Sequence, residues 1–119
     1  MRLPKGIICS APLCNIPFAI YATDFGGSFD CETRIMYIPF AKDSWPYTLS
    51  VLLHEATECA YAVKDMRFAN PSHYRSHDSF VFQFDHHKFS DATQCVADFV
   101  ANVYDSVHKA WEKVHKQTK

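Results

Sequence analysis

Hydrophobic residues follow two different periods along this chain. Ile16 to Thr23 is a short β-branched and aromatic run, and it predicts a strand. Asp24-Phe25-Gly26-Gly27-Ser28 is a turn signal. Cys31 to Ile38 follows, with Thr33, Ile35, Tyr37 and Ile38 favouring a second strand that stops at Pro39. The two runs together predict a hairpin. Residues 1–15 carry Pro4, Gly6 and Pro12 and read as an irregular or partly extended lead-in. From Leu49 the period lengthens. Leu49, Leu52, Leu53, Ala56, Cys59, Ala60 and Val63 recur at helical spacing behind the capping residues Asp43 and Ser44, with Pro46 tolerated in the first turn. A helix over residues 45–65 is expected. Residues 66–80 are polar and broken at Asn70-Pro71, and Phe80 to Phe84 reads as a short strand or an apolar plug. Asp85 can cap a last helix whose stripe runs through Phe89, Ala92, Val96, Phe99, Val100, Val103, Val107, Ala110 and Trp111. That helix should reach about residue 115 and pack on the first.

With 119 residues the chain is expected to form one domain, 1–119. A composition 48% hydrophobic and 15% aromatic supports a packed core and excludes disorder. A net charge of -1 gives no reason to expect broad nucleic-acid binding. The basic C-terminal end, 109–119, holds Lys109, Lys113, Lys116 and Lys119. It reads as a cationic last turn opposing a helix dipole, with a phosphate or nucleic-acid contact as the weaker alternative. The five cysteines are odd in number and contain no C-x-x-C pair, which points to reduced structural thiols and a cytoplasmic setting. Cys59 and Cys95 fall on apolar helix faces and read as core. No apolar run approaches the ~20 residues of a membrane span. Pro12, Asn15 and Pro17 interrupt the only stretch resembling a signal-peptide core.

Candidate chemistry is concentrated in Leu52-Leu53-His54-Glu55-Ala56-Thr57-Glu58. Positions i and i+4 share a helix face, so His54 and Glu58 can grip one metal ion from a single rigid surface. Glu55 lies about 100° further round and can reach a water on that ion as a general base. The same geometry underlies H-E-x-x-H zinc sites; here a carboxylate replaces the second imidazole and remains a competent ligand. An ordinary helix with one His and an exposed Glu pair is the plainer alternative, and the apolar neighbours that would half-bury the triplet argue against it.

A third protein ligand is required. His86 is the first choice, because it opens the last helix just after the apolar Phe80–Phe84 segment. His87 is the second. His73 and His77 sit in a polar stretch and read as solvated loop residues, or as a substrate-facing patch or second metal site. His108 and His115 lie among lysines and read as surface residues. Tyr61, one turn beyond Glu58, is a packed aromatic or lines the site. No G-x-S-x-G elbow and no base beside a cysteine support a serine or thiol nucleophile.

The order Tyr37-Ile38-Pro39, capped helix, T-L-S-V-L-L-H-E-A-T-E-C-A from Thr48 to Ala60, then F-D-H-H-K-F from Phe84 to Phe89 resembles the small zincin-like proteins of bacteriophages and prophages. The resemblance covers about residues 20–105. It implies a minimal zincin-like α+β fold, with a small β-hairpin or three-stranded sheet packed on two main helices. It also implies metal ligands at His54, Glu58 and His86, and a general base at Glu55. Two features depart from the family pattern. Glu58 stands for a histidine, which lowers the charge of the site, and residues 66–84 form a long connection.

Two function classes follow. In the first, the protein is a Zn²⁺-dependent metallopeptidase-like hydrolase in which Glu55 takes a proton from water and passes it to the leaving amine. Zn²⁺ is the default for this donor set, with Fe²⁺ or Mn²⁺ as alternatives. Its partner is then a peptide or protein substrate. In the second, it is a non-enzymatic phage accessory protein that binds a host protein on the same scaffold.

Overall fold

The computed structural model describes residues 2–69 and 80–116. Among them, six strands and two helices occur in the order β1 (Cys9–Leu13), β2 (Ile16–Thr23), β3 (Ser28–Asp30), β4 (Ile35–Pro39), α1 (Trp45–Val63), β5 (Arg67–Ala69), β6 (Phe80–Phe82) and α2 (His86–Lys116). The fold is α+β, as expected. The sheet is larger than expected, with four strands in the order β1-β2-β4-β3 and a separate β5-β6 pair.

Two expectations about the strands are corrected, the first only in part. The lead-in holds the extended segment that one of its readings allowed, since β1 pairs antiparallel with β2 in the register Leu13↔Ile16. Cys14 and Asn15 form the connection, both at positive φ (52° and 65°), as a tight two-residue hairpin turn requires. Pro12 is tolerated because β1 is an edge strand. The second correction concerns β2 and β4, which do not form a hairpin. They run parallel, Ala19↔Ile35 through Thr23↔Pro39. The reversal needed to bring the chain back is supplied by β3, which pairs antiparallel with β4. Residues 31–34 are a turn: Asp30 Oδ1 accepts the N–H of Glu32 (2.8 Å), and Asp30 O accepts that of Arg34 (2.8 Å), which adopts φ 59°.

Alternation along the strands buries Phe18 and Ile20 of β2 beside Met36 and Ile38 of β4. Against them α1 lays Leu52, Ala56, Cys59 and Ala60, and α2 lays Ala92, Phe99, Val103 and Val107. Cys59 is fully buried, as its helical position predicted. Ser44 caps α1 by accepting the Tyr47 N–H, with Pro46 in the first turn. Asp85 caps α2 by accepting the N–H groups of His87 (3.0 Å) and Lys88 (3.1 Å). Lys113, His115 and Lys116 fall in the last turn of α2, opposite in sign to its dipole. No described helix is long and apolar enough to cross a membrane.

His108 and His115 of α2 are not simple surface residues. His108 stacks on Trp45 with ring centroids 4.4 Å apart, and Trp45 Nε1 donates to the Tyr104 hydroxyl. The His115 side chain is 11% exposed, lies 4.4 Å from the Trp111 ring, and places Nε2 2.8 Å from the Phe40 carbonyl. Aromatic packing between the start of α1 and the end of α2 draws both imidazoles inward.

Candidate metal centre

The helical register of α1 decides which of its polar residues face inward. Thr48, Leu52, Glu55, Ala56 and Cys59 form its buried face. Glu55 therefore points toward the sheet, with a side chain 8% exposed. His54 and Glu58 flank it, 62% and 26% exposed. His54 Nε2 lies 3.7 Å from Glu55 Oε2 and 3.6 Å from Glu58 Oε2. One ligand atom from each of the three residues lies within 4.8 Å of the others. One imidazole and two carboxylates at this spacing match the donors that divalent ions such as Zn²⁺ take.

Electrostatics single out Glu55 within the trio. Burial pushes its carboxyl above the usual glutamate range; the His54 charge pulls it down, Glu58 pushes it further up, and Arg67 pulls it down. A carboxylate held this way gains from a nearby cation, as it would from a metal ion.

Three elements outside α1 complete the surroundings. A cleft of about 430 Å³ is lined by His54, Glu55 and Glu58 together with Gly27, Ser28 and Phe29 at the β3 edge, and by Arg67 and Phe80 of β5 and β6. Gly27 sits so close to α1 that an added Cβ would fall 2.6 Å from Val51 Cγ1 and 3.1 Å from Glu55 Oε2. Arg67 lays its guanidinium 3.8 Å from the Phe80 ring centroid and 5.4 Å from that of Phe29. On the other side of His54 and Glu58, a more apolar cleft of about 330 Å³ is lined by Leu53, Thr57, Tyr61 and Phe82. Tyr61 thus lines the surroundings of the centre, packed edge-on against Phe82 with centroids 5.2 Å apart.

His86, expected as the third ligand, is not part of the cluster. It is exposed at the first residue of α2, as is His87, and their rings lie 6.4 Å apart. The expectation relied on the Phe80–Phe84 segment anchoring that turn in the core. Instead Phe82 and Phe84 are 47% and 71% exposed, and Phe84 packs on Phe89. His73 and His77 lie outside the described residues. Sequence reasoning missed Gly27 and Arg67 as parts of the site. Gly27 was visible only as a turn residue, and Arg67 only as a single cation between Met66 and Phe68.

Another cleft, of about 600 Å³, lies between residues 2–8 and the end of α2. Its lining includes Arg2, Lys5 and Lys113 but no imidazole or carboxylate. In comparisons with known protein families, curated proteins and solved structures, the chain matches none.

Proposed function

We propose that the protein is a divalent-metal-dependent hydrolase acting on peptide or related amide bonds. The observation that carries this reading is the convergence of His54, Glu55 and Glu58 in a cleft shared with the edge strand β3. His54 and Glu58 would hold the ion from one face of α1, and among the described residues no third donor besides Glu55 stands with them. When bound, such an ion polarises a carbonyl and makes water acidic enough to act as a nucleophile near neutral pH. Zn²⁺ suits the donors best, with Fe²⁺ or Mn²⁺ as alternatives.

The remaining roles belong to the chain itself. Glu55 accepts the proton of the attacking water and returns it to the leaving amine. Its raised pKa suits a group that must serve as base and then as acid. Among the described residues β3 pairs with β4 alone, and its other edge can hold an extended peptide by backbone hydrogen bonds. The apolar cleft of Leu53, Tyr61 and Phe82 offers room for a neighbouring apolar side chain.

A second reading is favoured by one observation: Glu55 already stands among the three donors, whereas His86 does not. If Glu55 is itself a ligand, no base remains, and the chain is a binding module stabilised by its metal. The two readings separate on Glu55→Gln. Metal retained with hydrolysis of a mixed peptide library lost supports the hydrolase. Metal and function lost together supports the binding module. Undiminished hydrolysis contradicts the assigned role of Glu55.

A further inference from the structure

The cleft beside the cluster contains a cation that none of the reactions above uses. Arg67 opens β5, and its guanidinium carbon lies 3.8 Å from the Phe80 ring centroid and 5.4 Å from that of Phe29. Contact with two aromatic rings holds the guanidinium at the cleft without neutralising its charge. Yet Arg67 Nε is buried without a hydrogen-bond partner, and no ion pair is formed by this side chain among the described residues. The nearby carboxylates form no ion pair with it: Glu55 Oε2 and Glu58 Oε2 lie 3.7 and 3.6 Å from His54 Nε2, and the Arg67 charge acts on Glu55 only at longer range. Buried polar atoms are nearly always satisfied, so an unpartnered Nε on a guanidinium that lines a cleft and has no ion-pair partner points to an external acceptor.

We propose that Arg67 is the anchor for a carboxylate of the substrate, so that the centre acts on peptides carrying a free carboxylate beside the bond to be cleaved. This rests on the reading of His54, Glu55 and Glu58 as a hydrolytic site. A carboxylate fits better than a phosphate for two reasons. The planar guanidinium fork matches two coplanar oxygens. A dianion would also meet stronger repulsion from Glu55 and Glu58, which line the same cleft. The cleft of about 430 Å³ lies toward the small end of ligand sites, in keeping with the end of a short peptide. The carboxylate has two sources, the C-terminus of a peptide or the side chain of Asp or Glu.

The test is calorimetric binding to the full chain in zinc-containing buffer, with Glu55→Gln as background to prevent turnover. Three probes are used: N-acetyl-Ala-Phe as the free acid, the same peptide as its amide, and amidated N-acetyl-Ala-Glu. The free acid is expected to bind at least about tenfold tighter than the amide. Arg67→Gln should abolish that preference, and Arg67→Lys, which keeps a charge but not the fork, should reduce it. Binding of the Glu peptide at the strength of the free acid assigns a side-chain carboxylate; binding at the strength of the amide assigns the chain terminus. Equal binding of acid and amide, or a preference unchanged in Arg67→Gln, overturns the proposal. If Arg67→Gln does not fold, an unchanged preference in Arg67→Lys overturns it. Hydrolysis by the wild type is read separately. An Arg67-dependent acid preference without hydrolysis leaves the carboxylate anchor standing and removes the hydrolase reading. Hydrolysis of acid and amide at equal rates does the reverse.

Discussion

Gly27 and Glu55 are in such close approach that a methyl group on the first would stand 3.1 Å from the carboxylate oxygen of the second. That contact couples the start of the edge strand β3 to the buried face of α1. It holds the β3 edge and the proposed base in fixed relation. The backbone of Gly27 has an ordinary φ, so close packing rather than conformation demands glycine here.

Replacing Gly27 therefore disturbs the site and the fold together. In Gly27→Ala the new Cβ would fall 2.6 Å from Val51 Cγ1, well inside contact distance, and the Val51 side chain or the backbone must shift. Overpacking of this kind costs about 1–3 kcal/mol. Urea denaturation should show the loss, and any hydrolytic activity should fall by more than the unfolded fraction explains. A variant as stable and as active as wild type would mean that the strand edge and α1 are not held this close.

Glu55→Gln keeps the size of the side chain and removes the base. Loss of a general base typically lowers rates by about 10²–10⁴-fold. With His54 and Glu58 intact, metal content should stay at the wild-type level. Peptide hydrolysis and bound metal measured on the same sample give the answer, and retained activity counts against the mechanism.

The buried carboxyl also gives a pH signature in metal-free protein. Burial raises the Glu55 pKa from its usual value of 4.5, so the folded state binds this proton more tightly than the unfolded chain does. Stability then falls as pH rises from the unfolded value through the folded one. Glu55→Gln removes that penalty. It should be more stable than wild type at neutral pH, with the gap closing as the pH drops below 4.5. Chelator-treated proteins unfolded in urea across pH provide the comparison. A variant less stable than wild type at neutral pH contradicts this sign.

The thiols should separate by burial. Desolvation raises the pKa of Cys9 and Cys59 and pushes that of Cys14, which also interacts with Cys95, up to about 12. Cys31 is exposed in the β3–β4 turn. Brief alkylation followed by peptide mapping should label Cys31 first and Cys59 only on unfolding. Early labelling of Cys59 in native protein would show that the α1 core opens easily.

Much of this architecture was legible in the sequence where a local rule applied. The stripes at helical period, with Ser44 and Asp85 as caps, placed α1 and α2 nearly to the residue. His54 and Glu58 share a face for the same reason. What escaped depended on pairing across the chain. β3 is only three residues long and hides inside a turn signal, so β2 and β4 looked like successive strands of a hairpin rather than parallel neighbours. Cys14-Asn15 is an uncommon pair for a tight turn, and prolines masked β1. Arg67 reaches the site through the rings of Phe29 and Phe80, contacts that no periodicity encodes. The choice of His86 failed to predict its position because it assumed that Phe84 would be buried.

Metal content, determined by inductively coupled plasma mass spectrometry on tag-free protein, tests the central claim most directly. About one divalent ion per chain is expected in the wild type, lost in His54→Ala and Glu58→Ala while both variants stay folded. Wild-type protein that is folded yet metal-free, and that takes up no zinc, manganese or iron on titration, would contradict the account.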